Sequence, residues 1–271
     1  MSYLDALRHE LARAGVGGRR LDRIVDEFAD HLACDPEADL GSPRVVAERF
    51  ADELGLAQTR RAALLVFGAL ALTAVLLAAA GADTSYPARV QNGWAVGLTG
   101  LGLVAGAQVA FVAGVLALAR GRRRSLTCAE RRLVQRRAAV ALGAGILTCS
   151  MLVAHGVVFR QMPAAWTALT IAAGVVPLPL LAYAGARLRS AAQLTPAGGV
   201  APGLSADLPG ALGRHSRALL ALLGSLAVAA VVAQGSLFER SASEGPARGV
   251  IELAGIAVGT AALGRVLGLF S

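Results

Sequence analysis

The stretch Arg60-Arg-Ala-Ala-Leu-Leu-Val-Phe-Gly-Ala-Leu-Ala-Leu-Thr-Ala-Val-Leu-Leu-Ala-Ala-Ala80 decides how this chain is read. Two arginines are followed by an uncharged run, Ala62 to Ala80, whose one polar side chain is Thr73. A bilayer core is roughly 30 Å thick and takes about 20 helical residues to cross. Backbone in hydrocarbon has no water to bond, so a run of this kind satisfies its own N–H and C=O groups as a helix.

Five more runs of the same character follow: Gly93 to Ala119, Ala138 to Phe159, Ala164 to Ala186, Ala218 to Ala233 and Gly249 to Phe270. Together they account for a composition that is 55% hydrophobic and only 16% charged over 271 residues. Soluble globular chains carry about a quarter charged residues. Disorder is excluded and an ordinary water-soluble enzyme is disfavoured. The alternative, buried helices of a large soluble protein, does not explain why arginines border the runs.

The net charge of +8 divides unevenly. Through Arg61 there are nine Arg against twelve Asp and Glu, and beyond it seventeen Arg against six acids, with no Lys anywhere. The N-terminal part is therefore acidic, and the apolar part carries the positive charge. A nucleic-acid binder would gather its arginines on the soluble part, so no direct nucleic-acid partner is expected. Arg60 and Arg61, the tract Arg120, Arg122, Arg123, Arg124, Arg131, Arg132, Arg136 and Arg137, and the set Arg187, Arg189, Arg214 and Arg217 fall on one side of the six runs. The other side has Arg89, Arg160, Arg240 and Arg248. The positive-inside rule then places both termini in the cytoplasm. Arg122, Arg123, Arg124, Arg131, Arg132, Arg136 and Arg137 are expected to meet anionic lipid headgroups. No signal peptide is visible, and Cys34, Cys128 and Cys149 fit neither an exported disulfide nor a zinc site.

Before the first run, apolar residues recur at spacings of three and four. Leu4, Leu7 and Leu11 mark one helix, Leu21, Ile24, Val25, Phe28 and Leu32 a second, and Val45, Val46, Phe50 and Leu54 a third. Gly15-Val-Gly-Gly18 separates the first two. Ser42-Pro43 opens the third as cap and first helical residue, and Gly55 is placed to stop it. The expectation is an all-α polytopic membrane protein: a three-helix cytoplasmic domain over residues 1–56 and six transmembrane helices over 57–271. So small a head has a marginal core and is expected to lean on its partners or on the membrane surface.

Tyr3-Leu-Asp-Ala-Leu-Arg-His-Glu-Leu, Ile24-Val-Asp-Glu-Phe-Ala-Asp-His-Leu32 and Ala47-Glu-Arg-Phe-Ala-Asp-Glu-Leu-Gly55 resemble the prefix domain of HAAS-type bacterial membrane proteins. The resemblance covers about a fifth of the chain. It implies a helical signalling module on a body in the bacterial cytoplasmic membrane, in proteins associated with PadR-like transcriptional regulators. Asp26, Asp30, His31, Glu48 and Asp52 are the candidate docking residues for such a partner. The acidic head has a second candidate partner in the Arg tract itself.

The body offers sparse chemistry. Phosphate-binding, dinucleotide and nucleophile-elbow motifs are absent from the sequence, and no cofactor, metal or catalytic residue is expected. His155 and Gln234 end runs that match as Ala154-His-Gly-Val-Val-Phe-Arg160 and Ala233-Gln-Gly-Ser-Leu-Phe-Glu239, a pattern consistent with repeated helical hairpins. Glu252 and Arg265 are charges within the sixth run, close enough to its ends to snorkel. Pro177 and Pro179 should bend or break the fourth helix as a hinge. Gly102-x-x-x-Gly106, Gly255-x-x-x-Gly259 and Gly264-x-x-x-Gly268 are close-packing motifs, within the chain or between copies in a homo-oligomer. The leading functional expectation is a membrane regulator whose head binds a cytoplasmic protein. The alternative is a small transporter or the permease subunit of an exporter.

Overall fold

The computed structural model describes residues 2–82, 94–122, 126–158 and 164–194, with Ala254, Ala257, Val258 and Ala261. The expected fifth span, the expected sixth span apart from those four residues, and Gln234, Glu252, Arg265, Arg123 and Arg124 lie outside the described residues. Every secondary-structure element among the described residues is a helix: α1 Tyr3–Arg13, α2 Arg19–Cys34, α3 Pro43–Ala82, α4 Trp94–Gly121, α5 Cys128–Val158, α6 Ala164–Val175 and α7 Leu178–Gln193. Among the same described residues, four segments are long and apolar enough to cross a membrane: Pro43–Leu77, Leu98–Gly121, Cys128–Val158 and Ala164–Gln193.

Helix α3 runs straight through Gly55, where the third head helix is expected to stop. The third head helix and the first span are one helix of 40 residues, about 60 Å long at 1.5 Å per residue. Gly55 does not terminate it. A stop at glycine needs a left-handed turn followed by residues that leave the helix, whereas Leu56-Ala-Gln-Thr-Arg-Arg61 are mostly compatible with continuation. Thr59 Oγ1 donates to the Gly55 carbonyl at 2.8 Å inside the continuing helix.

The head packs α1, α2 and the start of α3 around Leu7, Leu11, Val16, Ile24, Val25, Ala47 and Ala51. Phe28 meets Phe50 edge to face, with ring centres 5.8 Å apart. Val45 departs from its expected place in the core stripe and is 63% exposed. Leu194, just past α7, belongs to this same core. The head therefore leans on its own membrane body. Gly15 has φ +85°, and a Cβ there would lie 3.2 Å from the Gln193 carbonyl oxygen. Glycine thus serves both the turn and the close approach to the end of α7. That helix also runs on to Gln193, into what composition reads as a flexible linker from Ser190.

In the body, α3 lies against α4, α5, α6 and α7. Ala62, Val66, Ala69, Ala113, Ala141, Cys149, Leu181 and Ala184 form its core. Gly102 and Gly106 bring α4 onto α5: Cβ atoms there would sit 2.8 Å from Met151 Cγ and 2.7 Å from Thr148 Oγ1. Membrane helices associate through close packing of this kind because lipid supplies little hydrophobic drive. Gly106→Leu should therefore lower stability by about 1–3 kcal/mol through overpacking. Gly143→Leu, where a Cβ meets nothing within 4 Å, should leave it nearly unchanged. Thermal melts of the detergent-solubilised protein compare the two.

At the start of α1, Ser2 and Asp5 form a reciprocal capping box. The hydrogen bonds from the Ser2 side chain and then its backbone hold the Asp5 carboxyl below the usual carboxylate range. A carboxyl lowered on folding stabilises fully above its unfolded pKa of about 3.9 and loses that contribution as pH falls through the folded value. Protection of the Tyr3–Ala6 amides against exchange, taken relative to the intrinsic exchange rate at each pH, should fall on acidification below about pH 4. The acid-dependent step should vanish in Ser2→Ala, which exchanges faster at every pH.

Candidate functional site

A cleft of about 590 Å³ lies between the N-terminal half of α3 and the start of α5. One wall is a stripe of α3: Val45, Glu48, Arg49, Asp52, Glu53 and Leu56. The spacing of three and four residues places them over three turns of one face. Leu126, Thr127 and Arg131 form the other wall. Thr127 and Glu130 build a capping box that fixes the start of α5: Thr127 N donates to Glu130 Oε2 at 2.8 Å and Glu130 N donates to Thr127 Oγ1 at 3.3 Å.

Two of the expected docking residues, Glu48 and Asp52, meet here. Asp52 forms an ion pair with Arg131, with side chains 23% and 17% exposed. This contact joins the acidic head to the Arg tract. Glu48 bonds Arg44 at 3.0 Å and Glu53 bonds Arg49 at 3.4 Å. These are exposed i,i+4 pairs, which contribute little and yield readily to a competing charge. Asp26, Asp30 and His31 are exposed on α2 and do not line the cleft. Arg49, Glu53 and Leu126 line it without having been singled out in the sequence. The signal for them was the helical register through Val45, Glu48 and Asp52, and the Thr127-x-x-Glu130 box.

The described arginines of the body gather at the head end of the bundle. Arg187 Nη1 donates to Gln58 Oε1 at 2.9 Å. The Arg187 guanidinium also lies 4.6 Å from the Tyr183 ring centre. Arg120 pairs with Glu130, and Arg60 packs beside Gly121. Arg122 and Arg136 are exposed, and Arg132 is half-buried. Arg137 departs from the headgroup expectation. It is 1% exposed, because it falls on the buried stripe Leu133, Val134, Arg137, Ala138, Ala141 of α5. Arg131 is likewise engaged with Asp52.

At the other end of the bundle, Thr99 Oγ1 and His155 Nδ1 are 2.9 Å apart. The Trp166 ring lies 6.3 Å from the His155 ring, centre to centre. A single imidazole held by a hydroxyl and an indole makes a polar junction of α4, α5 and α6. Among the described residues no group of three or more His, Cys, Asp or Glu side chains could hold a metal ion.

Between the two ends, the helical ladder breaks at Val176–Pro177. Pro177 has no N–H to give the Ala173 carbonyl, four residues earlier. Thr73 Oγ1 of α3 donates to that carbonyl at 3.1 Å. An unsatisfied backbone group in hydrocarbon costs several kcal/mol, so the one polar side chain of the first apolar run is placed where the proline creates a need.

No family model, curated protein or solved structure matches this chain.

The half-buried Asp52–Arg131 pair is the most exacting polar contact between head and body. Removing one partner strands the other, so Asp52→Asn or Arg131→Gln alone should destabilise more than the pair contributes. A double-mutant cycle should return a coupling of about 1–3 kcal/mol. A coupling near zero would mark the pair as an ordinary surface contact.

Proposed function

We propose that this chain is an integral membrane regulatory protein whose cytoplasmic head binds a soluble partner, a PadR-like transcription regulator, through the cleft beside α3. The observation that carries this reading is the cleft itself. Glu48, Asp52 and Glu53 stand along one helix face between the apolar side chains of Val45 and Leu56. Such a surface matches a basic, amphipathic helix from a partner, the helix-in-groove mode of recognition. The exposed Glu48–Arg44 and Glu53–Arg49 pairs exchange at little cost for arginines or lysines of the incoming helix.

Arginines at the head end of the described spans favour a cytoplasmic head under the positive-inside rule. The runs Ala218 to Ala233 and Gly249 to Phe270 bring the proposed number of spans to six, with both termini cytoplasmic in a bacterial inner membrane. The resemblance of the head to HAAS-type prefix domains supplies the class of partner.

Full-length protein in lipid nanodiscs, presented with the helix-turn-helix regulators of its own host, tests this directly. One PadR-like regulator should bind, with an affinity that falls steeply with salt. Glu48→Arg with Glu53→Arg should weaken it at least tenfold, roughly 1.4 kcal/mol. Binding by none of the regulators, or binding indifferent to both reversals, would overturn the proposal.

A further inference from the structure

We infer that α7 is a lever that couples the thickness of the surrounding bilayer to the docking of the head. This deepens the regulatory reading by naming its input, and rests on that reading for its purpose. The head is held to the body by α3, a continuous helix from the head core into the membrane, and by the Asp52–Arg131 pair. A further support is apolar: Leu194, just past the end of α7, sits in the head core at 8% exposure. Gln193 lies against Gly15.

The opposite end of α7 is the break at Val176–Pro177. Helix α6 has 12 residues, about 18 Å of rise, which puts the break near the middle of a core roughly 30 Å thick. Helix α7 has 16 residues, an arm of about 24 Å from the break to the head. A helix meets a thinner or thicker bilayer by changing its tilt. A change of ~10° over that arm moves its end by ~4 Å, enough to withdraw a leucine from a core. Thr73 keeps the Ala173 carbonyl bonded from outside the helix, so the break is solvated by protein and need not close. Ala62, Val66, Ala69, Leu181 and Ala184 share one apolar core where α3 lies against α7, and these side chains present no polar group to resist a small slide. Arg187 Nη1 donating to Gln58 Oε1 at 2.9 Å and Gln135 Nε2 donating to the Ala191 carbonyl at 3.2 Å are polar contacts such a slide would exchange.

The test is the maleimide-labelling rate of Leu194→Cys in the full chain, with exposed Cys34 and Cys128 replaced by serine. The protein is reconstituted in vesicles of short-chain and long-chain phosphatidylcholine, with no partner present. Ser190→Cys, exposed on the same helix, gives the unprotected rate. Labelling at 194 should differ at least tenfold between the two bilayers, while labelling at 190 stays constant. Pro177→Ala with Pro179→Ala should reduce the difference below twofold. Should that variant fail to insert, Thr73→Val, which strips the external bond from the break, should change the thickness dependence by at least threefold. Equal rates at 194 in both bilayers, or a dependence untouched by these variants, overturns the lever. Since no regulator is present, that result leaves the docking reading standing, and failure of regulator binding leaves the lever standing.

Discussion

The length of α3 is the constraint on which the described structure depends. A helix of 40 residues is about twice as long as a hydrocarbon core is thick, so one half must stand in water while the other is in lipid. Every other described helix except α2 packs along it, and α1 and α7 pack on it more than on any other described helix. Its watery half supplies Ala47 and Ala51 to the head core and the Val45–Leu56 stripe to the cleft. Its membrane half supplies Ala62, Val66 and Ala69 to the bundle and Thr73 to the break in the neighbouring span. Because no turn separates the halves, the head has no freedom to rotate independently of the first span. A head of this size has little core of its own, and its rigidity is borrowed from the membrane body.

The arginines follow from the same geometry. Where α3 leaves the bilayer, α4 ends, α5 begins and α7 ends, so their boundary residues converge at one level. Arginine suits that level because its long apolar stem lies along helices while its planar head reaches carboxylates and carbonyls. The sequence places these residues on one side but does not assign their partners. Arg131 finds Asp52 of the head, Arg120 finds Glu130, and Arg187 finds Gln58. A collar that composition assigns to lipid is thus partly an internal fastening, and Arg137 is wholly inside.

Much of this was legible in the residues and some was not, for identifiable reasons. The four described spans follow from long uncharged runs, since a single apolar segment of that length satisfies its own backbone in lipid as a helix. The α1 and α2 stripes through Leu7, Leu11, Ile24 and Val25 follow from their spacing. Gly55 misled because a glycine after an amphipathic stretch resembles a C-terminal stop, while the continuing helix costs only about 1 kcal/mol at that position. Leu194 was hidden because its burial depends on where α7 ends in space, beside Gly15, and local pattern carries no such information. The cleft was half visible: Glu48 and Asp52 were candidates, but the Leu126–Arg131 wall comes from another part of the chain. His155 was singled out, and its Thr99 partner was not, since the pairing crosses two helices.

Thr73 shows how one residue reconciles these levels. In the sequence it is the lone polar side chain of an apolar run and passes for an ordinary tolerated hydroxyl. Pro177 reads separately as a helix defect. Together they form a solvated break: the proline removes the donor, and the threonine of another helix returns one to the Ala173 carbonyl. Had the carbonyl been satisfied within its own helix, the span would resist bending as an ordinary helix does. Had it been left bare, insertion would cost several kcal/mol. A donor borrowed from α3 avoids both, keeping a bend in the membrane at tolerable cost and tying its position to the helix that carries the head.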